Sequence, residues 1–391
     1  MSSRPPSFTL PEPPPELADL SRQLCTRIIK EIETGGPMPF DRYMAMALYE
    51  PGLGYYVNGL QKFGTAGDFV TAPEQGPLFA QALARQLDEV ATKLDSEWVL
   101  LEPGAGSGAL ARDLLEGLTH PPARYLILEP SAALREVQAE TLADLPESLR
   151  RRIKWIDQPP EQPFDGVILA NEVLDALPAK RFVYESGEFR ELCIQHADGR
   201  LAWTTTRSSP RLARALDALE RNLSRPLPDG YQSELCVDLP AWLETISTPL
   251  ARGMILLIDY GYPRQEYYHP DRSAGTLVCH YRHRAHFDPF VWPGLTDLSV
   301  FVDFTATAEA AHTCGLKVAG YTTQAGFLLS LGIAESVEHI DDPQQRLRHA
   351  AEIKRLTLPG EMGEKFKVIA LVRDFDHPLS GFGMMSHLHR L

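Results

Sequence analysis

From residue 97 to residue 374 the chain repeats one pattern. Short apolar runs, bounded by glycine, proline or an acid, are separated by stretches whose apolar positions return every three or four residues. The runs are Val99-Leu100-Leu101, Tyr125 to Leu128, Ile153 to Ile156, Gly166 to Ala170, Gly253 to Ile258, Leu316 to Thr323 and Lys365 to Asp374. Between the first runs, Ala109 to Leu118 and Ala132 to Leu145 carry helical spacing. Seven strands alternating with helices, the first four tightly regular, predict an α/β fold. Its sheet would be doubly wound and mostly parallel. Upstream, Leu17, Leu20, Leu24, Ile28 and Ile32 form a helical stripe closed by Gly35-Gly36-Pro37. Further helices are expected from Phe40 to Tyr49 and from Gly76 to Lys93. Between them, residues 54–73 form a long loop rich in glycine and aromatics, a composition suited to covering a site.

The pattern changes after the fourth strand. Residues 181–206 alternate with period two and turn at Ser186-Gly187 and Asp198-Gly199, as a small antiparallel meander would. Helical spacing follows from Arg211 to Leu223 and from Leu239 to Leu250. Residues 262–300 read as irregular, Val302 to Gly315 as a helix, and Phe327 to Arg355 as mostly helical. The expected organisation is a helical N-terminal region with its loop (1–94), then the first half of a nucleotide-binding sheet (95–180). A β-rich insertion (181–250) and the second half of the sheet (251–391) follow.

Chemistry concentrates where the first strand ends. Glu102-Pro103-Gly104-Ala105-Gly106-Ser107-Gly108 turns the chain from strand to helix. Gly104 and Gly106 suit a tight turn that brings backbone amides near a ligand, and Gly108 lets the helix pack closely. Twenty-one positions after Gly108 the second strand ends in Glu129, placed to accept from both hydroxyls of a ribose. Asp157, at the end of the third strand, is placed against the base. The spacing fits a dinucleotide fingerprint and also the E-x-G-x-G-x-G motif of S-adenosylmethionine (SAM) sites. Glu102 separates the two, because a carboxylate there suits the ammonium of SAM and repels the diphosphate of NAD. SAM is the expected cofactor.

Composition narrows the partners. The chain has 391 residues and a net charge of −14, with 44% hydrophobic and 23% charged residues. That acidic balance argues against nucleic acid and mildly favours a cationic substrate. Five dispersed cysteines outside any C-x-x-C pattern fit reduced thiols, and no apolar run is long enough for a membrane span. A cytoplasmic location is the expectation, with a homodimer left open. His280, His283 and His286 beside Cys279 are interrupted by Arg282 and Arg284, and no metal site is expected.

The separated blocks Asp41-Arg42-Tyr43-Met44, Gly54-Tyr55-Tyr56, Gly67-Asp68-Phe69-x-Thr71-Ala72-Pro73, Glu102-x-Gly104-x-Gly106, Asn171-Glu172-x-x-Asp175-Ala176-Leu177-Pro178, Asp259-Tyr260-Gly261 and Val302-Asp303-Phe304-Thr305 occur in one order. Through them the chain resembles the MidA-like family of SAM-dependent methyltransferases. The resemblance implies a Rossmann-like class I methyltransferase fold. It also implies a protein substrate presenting arginine, with symmetric dimethylarginine as product and a link to respiratory complex assembly. Asp68 and Thr71 join the expected cofactor site through this resemblance. On chemical grounds Glu172 is the principal clamp for a guanidinium and Asp175 the second, with Asn171 beside them at the strand tip. Asp259 and Tyr260 leave the neighbouring strand as further catalytic candidates, where Tyr260 would wall the chamber and Asp259 would add a charge; capping is an alternative role for Asn171 and Asp175, as is a strand-end structural role for Asp259. Two other functions are weighed: a SAM-binding assembly chaperone without turnover, and an NAD(P)-dependent oxidoreductase.

Overall fold

The computed structural model of the chain describes residues 10–60, 71–94, 97–338 and 340–391. Its centre is a mixed sheet whose principal strands are β1 (Val99–Pro103), β2 (Arg124–Leu128), β3 (Ile153–Ile156), β4 (Phe164–Asn171), β5 (Leu250–Tyr262), β6 (Lys317–Thr323) and β7 (Phe366–Arg373). They lie in the order β6-β7-β5-β4-β1-β2-β3. The five strands from β5 to β3 pair in parallel, and β7 runs antiparallel to both its neighbours. An eighth strand, Val302–Asp303, pairs in parallel with the last residues of β5. It falls where helix alone was expected; the helix starts at Phe304, with the Asp303 side chain accepting from the Ala306 N–H at 3.0 Å.

The central strands are apolar along their whole length because both faces are covered. Leu100, Val167, Leu169, Leu256 and Ile258 pack with the helices Leu78–Ala91 and Ala109–Gly117. Their neighbours Val99, Leu101, Ile168, Ile255 and Leu257 pack on the other face with Leu239–Ser247 and Phe304–Thr313. Winding runs outward from β1 through β2 to β3, then restarts on the opposite side at β4. The carboxyl ends of β1 and β4 therefore open a crevice at the switch point, where this kind of sheet receives ligands.

The β-rich insertion forms a second, antiparallel sheet from Lys180–Glu185, Glu188–Ala197, Arg200–Arg207 and Tyr231–Leu235. The strand Tyr231–Leu235 was not anticipated. The N-terminal region joins this sheet, with Met38 opposite Ile194 and Pro39 opposite Cys193. Lys180 Nζ then pairs with Asp41 at 2.9 Å and Glu191 at 2.8 Å, fixing the start of the helix Phe40–Tyr49. Phe40, Tyr43, Met44 and Ala47 from that helix share a core with Leu24, Ile28, Ile194 and Leu298. This packing carries Tyr49 to the mouth of the crevice.

Residues 262–300 are not irregular throughout. Val278–Tyr281, Arg284–His286 and Asp297–Ser299 form a three-stranded antiparallel sheet. Strands of three or four residues are too short to register an alternation, and the hairpin turn places Arg282 and His283 at positive φ (46° and 58°) without a glycine to announce it.

Candidate active site

A cavity of about 450 Å³ lies along the carboxyl ends of β1, β2 and β4. Its two ends have different chemistry. At the first, β1 delivers Glu102 and the chain turns through Gly104, Gly106 and Gly108 at φ of 66°, 56° and 85°. Gly104 and Gly106 line the cavity. Gly108 does not; it precedes the helix Ala109–Gly117, and a Cβ there would sit 3.3 Å from Gln138 Cα, so its role is helix packing. Glu102 is buried, accepts from the Tyr125 hydroxyl at 2.8 Å and is pushed up to about 7 by burial, against that bond. Glu129 accepts from the Ser131 N–H at 2.9 Å and from Gln138 at 3.3 Å; burial raises it too. Gln138 also donates to the Gly106 carbonyl at 3.1 Å and accepts from the Trp155 indole at 2.9 Å. One fully buried amide thus ties the glycine loop to the acid of the second strand. Asp157 stands at the rim in an ion pair with Arg135. Thr71 lines the cavity, whereas Asp68 lies outside the described residues.

The second end is built on the tip of β4. Asn171, Glu172 and Asp175 all line the cavity. Glu172 has φ of 54°, a conformation that costs a non-glycine residue free energy and turns the chain sharply at the switch point. Asn171 Nδ2 donates to Glu172 Oε1 at 3.1 Å, and the buried Asn171 Oδ1 has no hydrogen-bond partner among the described residues. Burial, then the charges of Asp175 and Asp297, push Glu172 up to about 8. Asp175 is raised by burial, then by Asp259 and Asp297.

Asp259 is not among the residues lining the cavity. It is fully buried, and its Oδ2 accepts the N–H groups of Val173, Leu174 and Asp175 at 3.2, 2.8 and 3.2 Å, while Oδ1 accepts that of Tyr260 at 2.8 Å. It holds the turn that carries Glu172 and Asp175. Burial and the Glu172 charge raise it, while those backbone donors favour its ionised form. Tyr260 does line the cavity, its ring 3.9 Å from Phe366 and 5.8 Å from Phe301, centroid to centroid.

Several lining residues come from elsewhere in the chain. Tyr49 donates to the Ala176 carbonyl at 2.9 Å and stacks on Tyr56 with centroids 5.7 Å apart. Tyr56 donates through its hydroxyl to Asp297 at 3.1 Å and accepts through its carbonyl from the Ser131 hydroxyl at 3.3 Å, so it bridges both ends. His280, Asp297 and Ser299 arrive from the three-stranded sheet, and Trp242 from the helix Leu239–Ser247. Of these, the aromatic loop around Tyr55-Tyr56 and His280 stand out in the sequence.

A molecule with an ammonium, a ribose and an adenine fits the first end: a buried acid beside a positive-φ glycine turn, then a second acid fixed by a backbone N–H. The acids of the second end suit a cation.

Comparison with known proteins places SAM with this fold. Residues 80–322 match a family model described as "Putative S-adenosyl-L-methionine-dependent methyltransferase". A Burkholderia thailandensis member of the COG1565 superfamily, solved bound to S-adenosyl-homocysteine, is 40% identical. The match covers 98% of this chain and 100% of that one at a TM-score of 0.91. The chain is 28% identical to a Drosophila melanogaster protein named protein arginine methyltransferase NDUFAF7 homolog, mitochondrial, over 92% of this chain and 89% of the relative. It is 26% identical to human protein arginine methyltransferase NDUFAF7, mitochondrial, over 88% and 82%.

Proposed function

The chain belongs to the MidA-like family of SAM-dependent methyltransferases, and from that premise we propose that it methylates an arginine guanidinium of a protein substrate. The observation that carries this reading is the acid set Glu172, Asp175 and Asp297 at one end of the cavity, whose charges act on one another. The curated relatives, named as protein arginine methyltransferases, support the same substrate class. By the family resemblance, the product is symmetric dimethylarginine.

SAM supplies an electrophilic methyl group on a positively charged sulfur, and its methyl carbon–sulfur bond breaks as the methyl leaves, the electron pair neutralising the sulfur to give S-adenosyl-homocysteine. In this reading Glu102 holds its ammonium, Glu129 its ribose hydroxyls, and Gly104 and Gly106 leave room for the backbone to approach. Glu172 and Asp175 accept from the guanidinium, orient one nitrogen and draw positive charge away from it. A bound guanidinium favours the ionised form of both acids. Glu172, near 8 before ligand binds, is poised to take the proton that the guanidinium gives up when the new N–C bond forms. Tyr49, Tyr56 and Tyr260 wall the chamber and reduce the water within it.

The test is amino-acid analysis after incubation with methyl-labelled SAM and an extract of cells lacking the enzyme. The expected label is in methylated arginine. Label confined to lysine, to a carboxylate or to small molecules would overturn the arginine reading and leave the family assignment standing.

A further inference from the structure

Asp297 has no counterpart in the motifs around the strand tips. It begins the short strand Asp297–Ser299, lies opposite His280 in the three-stranded sheet, and is 3% exposed. Its Oδ1 accepts from the Tyr56 hydroxyl at 3.1 Å and its Oδ2 from the Ser299 hydroxyl at 3.3 Å. It lines the same cavity as Glu172 and Asp175, but on an element that neither β4 nor β5 supplies. Acids on separate elements matter for the shape of a cation. A guanidinium is planar and presents N–H donors along two edges, so it gains from carboxylates on different sides. An ammonium is a compact point charge with three rotatable donors and no planar edges for two carboxylates to match.

We propose that Asp297 is a specificity-determining residue of the acceptor end. It takes one edge of a guanidinium whose other edge is held by Glu172, and so selects guanidinium over alkylammonium. Tyr56 acts through it as a positioning residue. The inference rests on the arginine reading above, and adds a residue and a basis for selectivity to it.

The test uses the full chain saturated with S-adenosyl-homocysteine, titrated calorimetrically with ethylguanidinium and, separately, with ethylammonium. The unmodified protein should prefer ethylguanidinium by about tenfold or more. In Asp297→Asn the affinity for ethylguanidinium should fall about tenfold and that for ethylammonium less than about threefold, because the lost contact is one that only the planar cation makes. Affinity for S-adenosyl-homocysteine should stay within about twofold. An unchanged preference in folded Asp297→Asn overturns the inference and leaves the arginine reading intact. Failure of the unmodified protein to bind either cation, with S-adenosyl-homocysteine bound, removes the arginine reading and the inference together. Should Asp297→Asn not fold, Tyr56→Phe decides: it leaves the carboxylate but frees it, and should reduce the preference about threefold. An unchanged preference in that variant also overturns the inference.

Discussion

The Tyr125 hydroxyl donates to Glu102 Oε2 at 2.8 Å inside the sheet, so the acid that opens the glycine turn is buried yet keeps a donor that favours its charge. Because burial still holds Glu102 near 7, a cationic ligand must find it ionised or drive off its proton. Affinity for SAM should therefore rise with pH up to about 7 and level above it, by at most about tenfold per pH unit. Tyr125→Phe should shift that midpoint upward, and Glu102→Gln should weaken binding and flatten the profile. Calorimetry across pH 5.5–8.5 (on the order of one decade per unit at the acid end) checks both.

Gly106 sits at φ of 56° against the cavity. A β-branched side chain there adds strain of about 1–2 kcal/mol and bulk at the ligand wall. Gly106→Val should lose S-adenosyl-homocysteine binding while still melting cooperatively. Near-normal affinity in that variant would contradict the assignment of the loop.

Much of this was legible locally. The glycine turn, Glu102 and Glu129 follow from strand and helix periods over a few residues, and the tip of β4 is marked by an apolar run ending in Asn171-Glu172. The sequence leaves Asp259 open between adding a charge to the chamber and a strand-end structural role, because it places the acid at a strand end but cannot show that backbone N–H groups occupy it. Asp297 and Gln138 were hidden for another reason. Each reaches the site through long-range packing, and Asp297 stands in a strand too short to show a period.

Asp259 accepts three N–H groups of the turn at 173–175. Asp259→Ala leaves them without that acceptor and should cost about 3 kcal/mol of stability, with activity falling in parallel as the turn loosens. Asp259→Asn, which keeps an acceptor oxygen, should lose less. Chemical denaturation beside activity measurements checks the pairing; loss of activity at full stability in Asp259→Ala would point instead to a direct chemical role.

Glu102 and Glu172 have folded-state values of about 7 and about 8 against an ordinary 4.5. An acid raised in this way binds its proton more tightly in the folded state. Its contribution is fully present below about 4.5 and is lost as pH rises through the folded-state value, by roughly 3–5 kcal/mol per group over the whole range. The ligand-free protein should accordingly melt lower at pH 8.5 than at pH 6. Glu172→Gln, which imitates the neutral acid, should narrow that gap and melt higher than the unmodified protein at pH 8.5. An equal gap in both proteins would remove Glu172 as a source of it.

The most direct measurement pairs two numbers on one preparation of Glu172→Gln: affinity for S-adenosyl-homocysteine, and the rate of methyl transfer to arginine in the substrate fraction. Glu172 lines the cavity from the tip of β4, whereas the acids assigned to the ammonium and ribose come from the ends of β1 and β2, so cofactor affinity should stay within about threefold. Loss of a charged partner for the guanidinium should lower the rate about a hundredfold or more. Full-rate arginine methylation by Glu172→Gln, with its cofactor bound normally, would contradict the acceptor role given to the tip of β4.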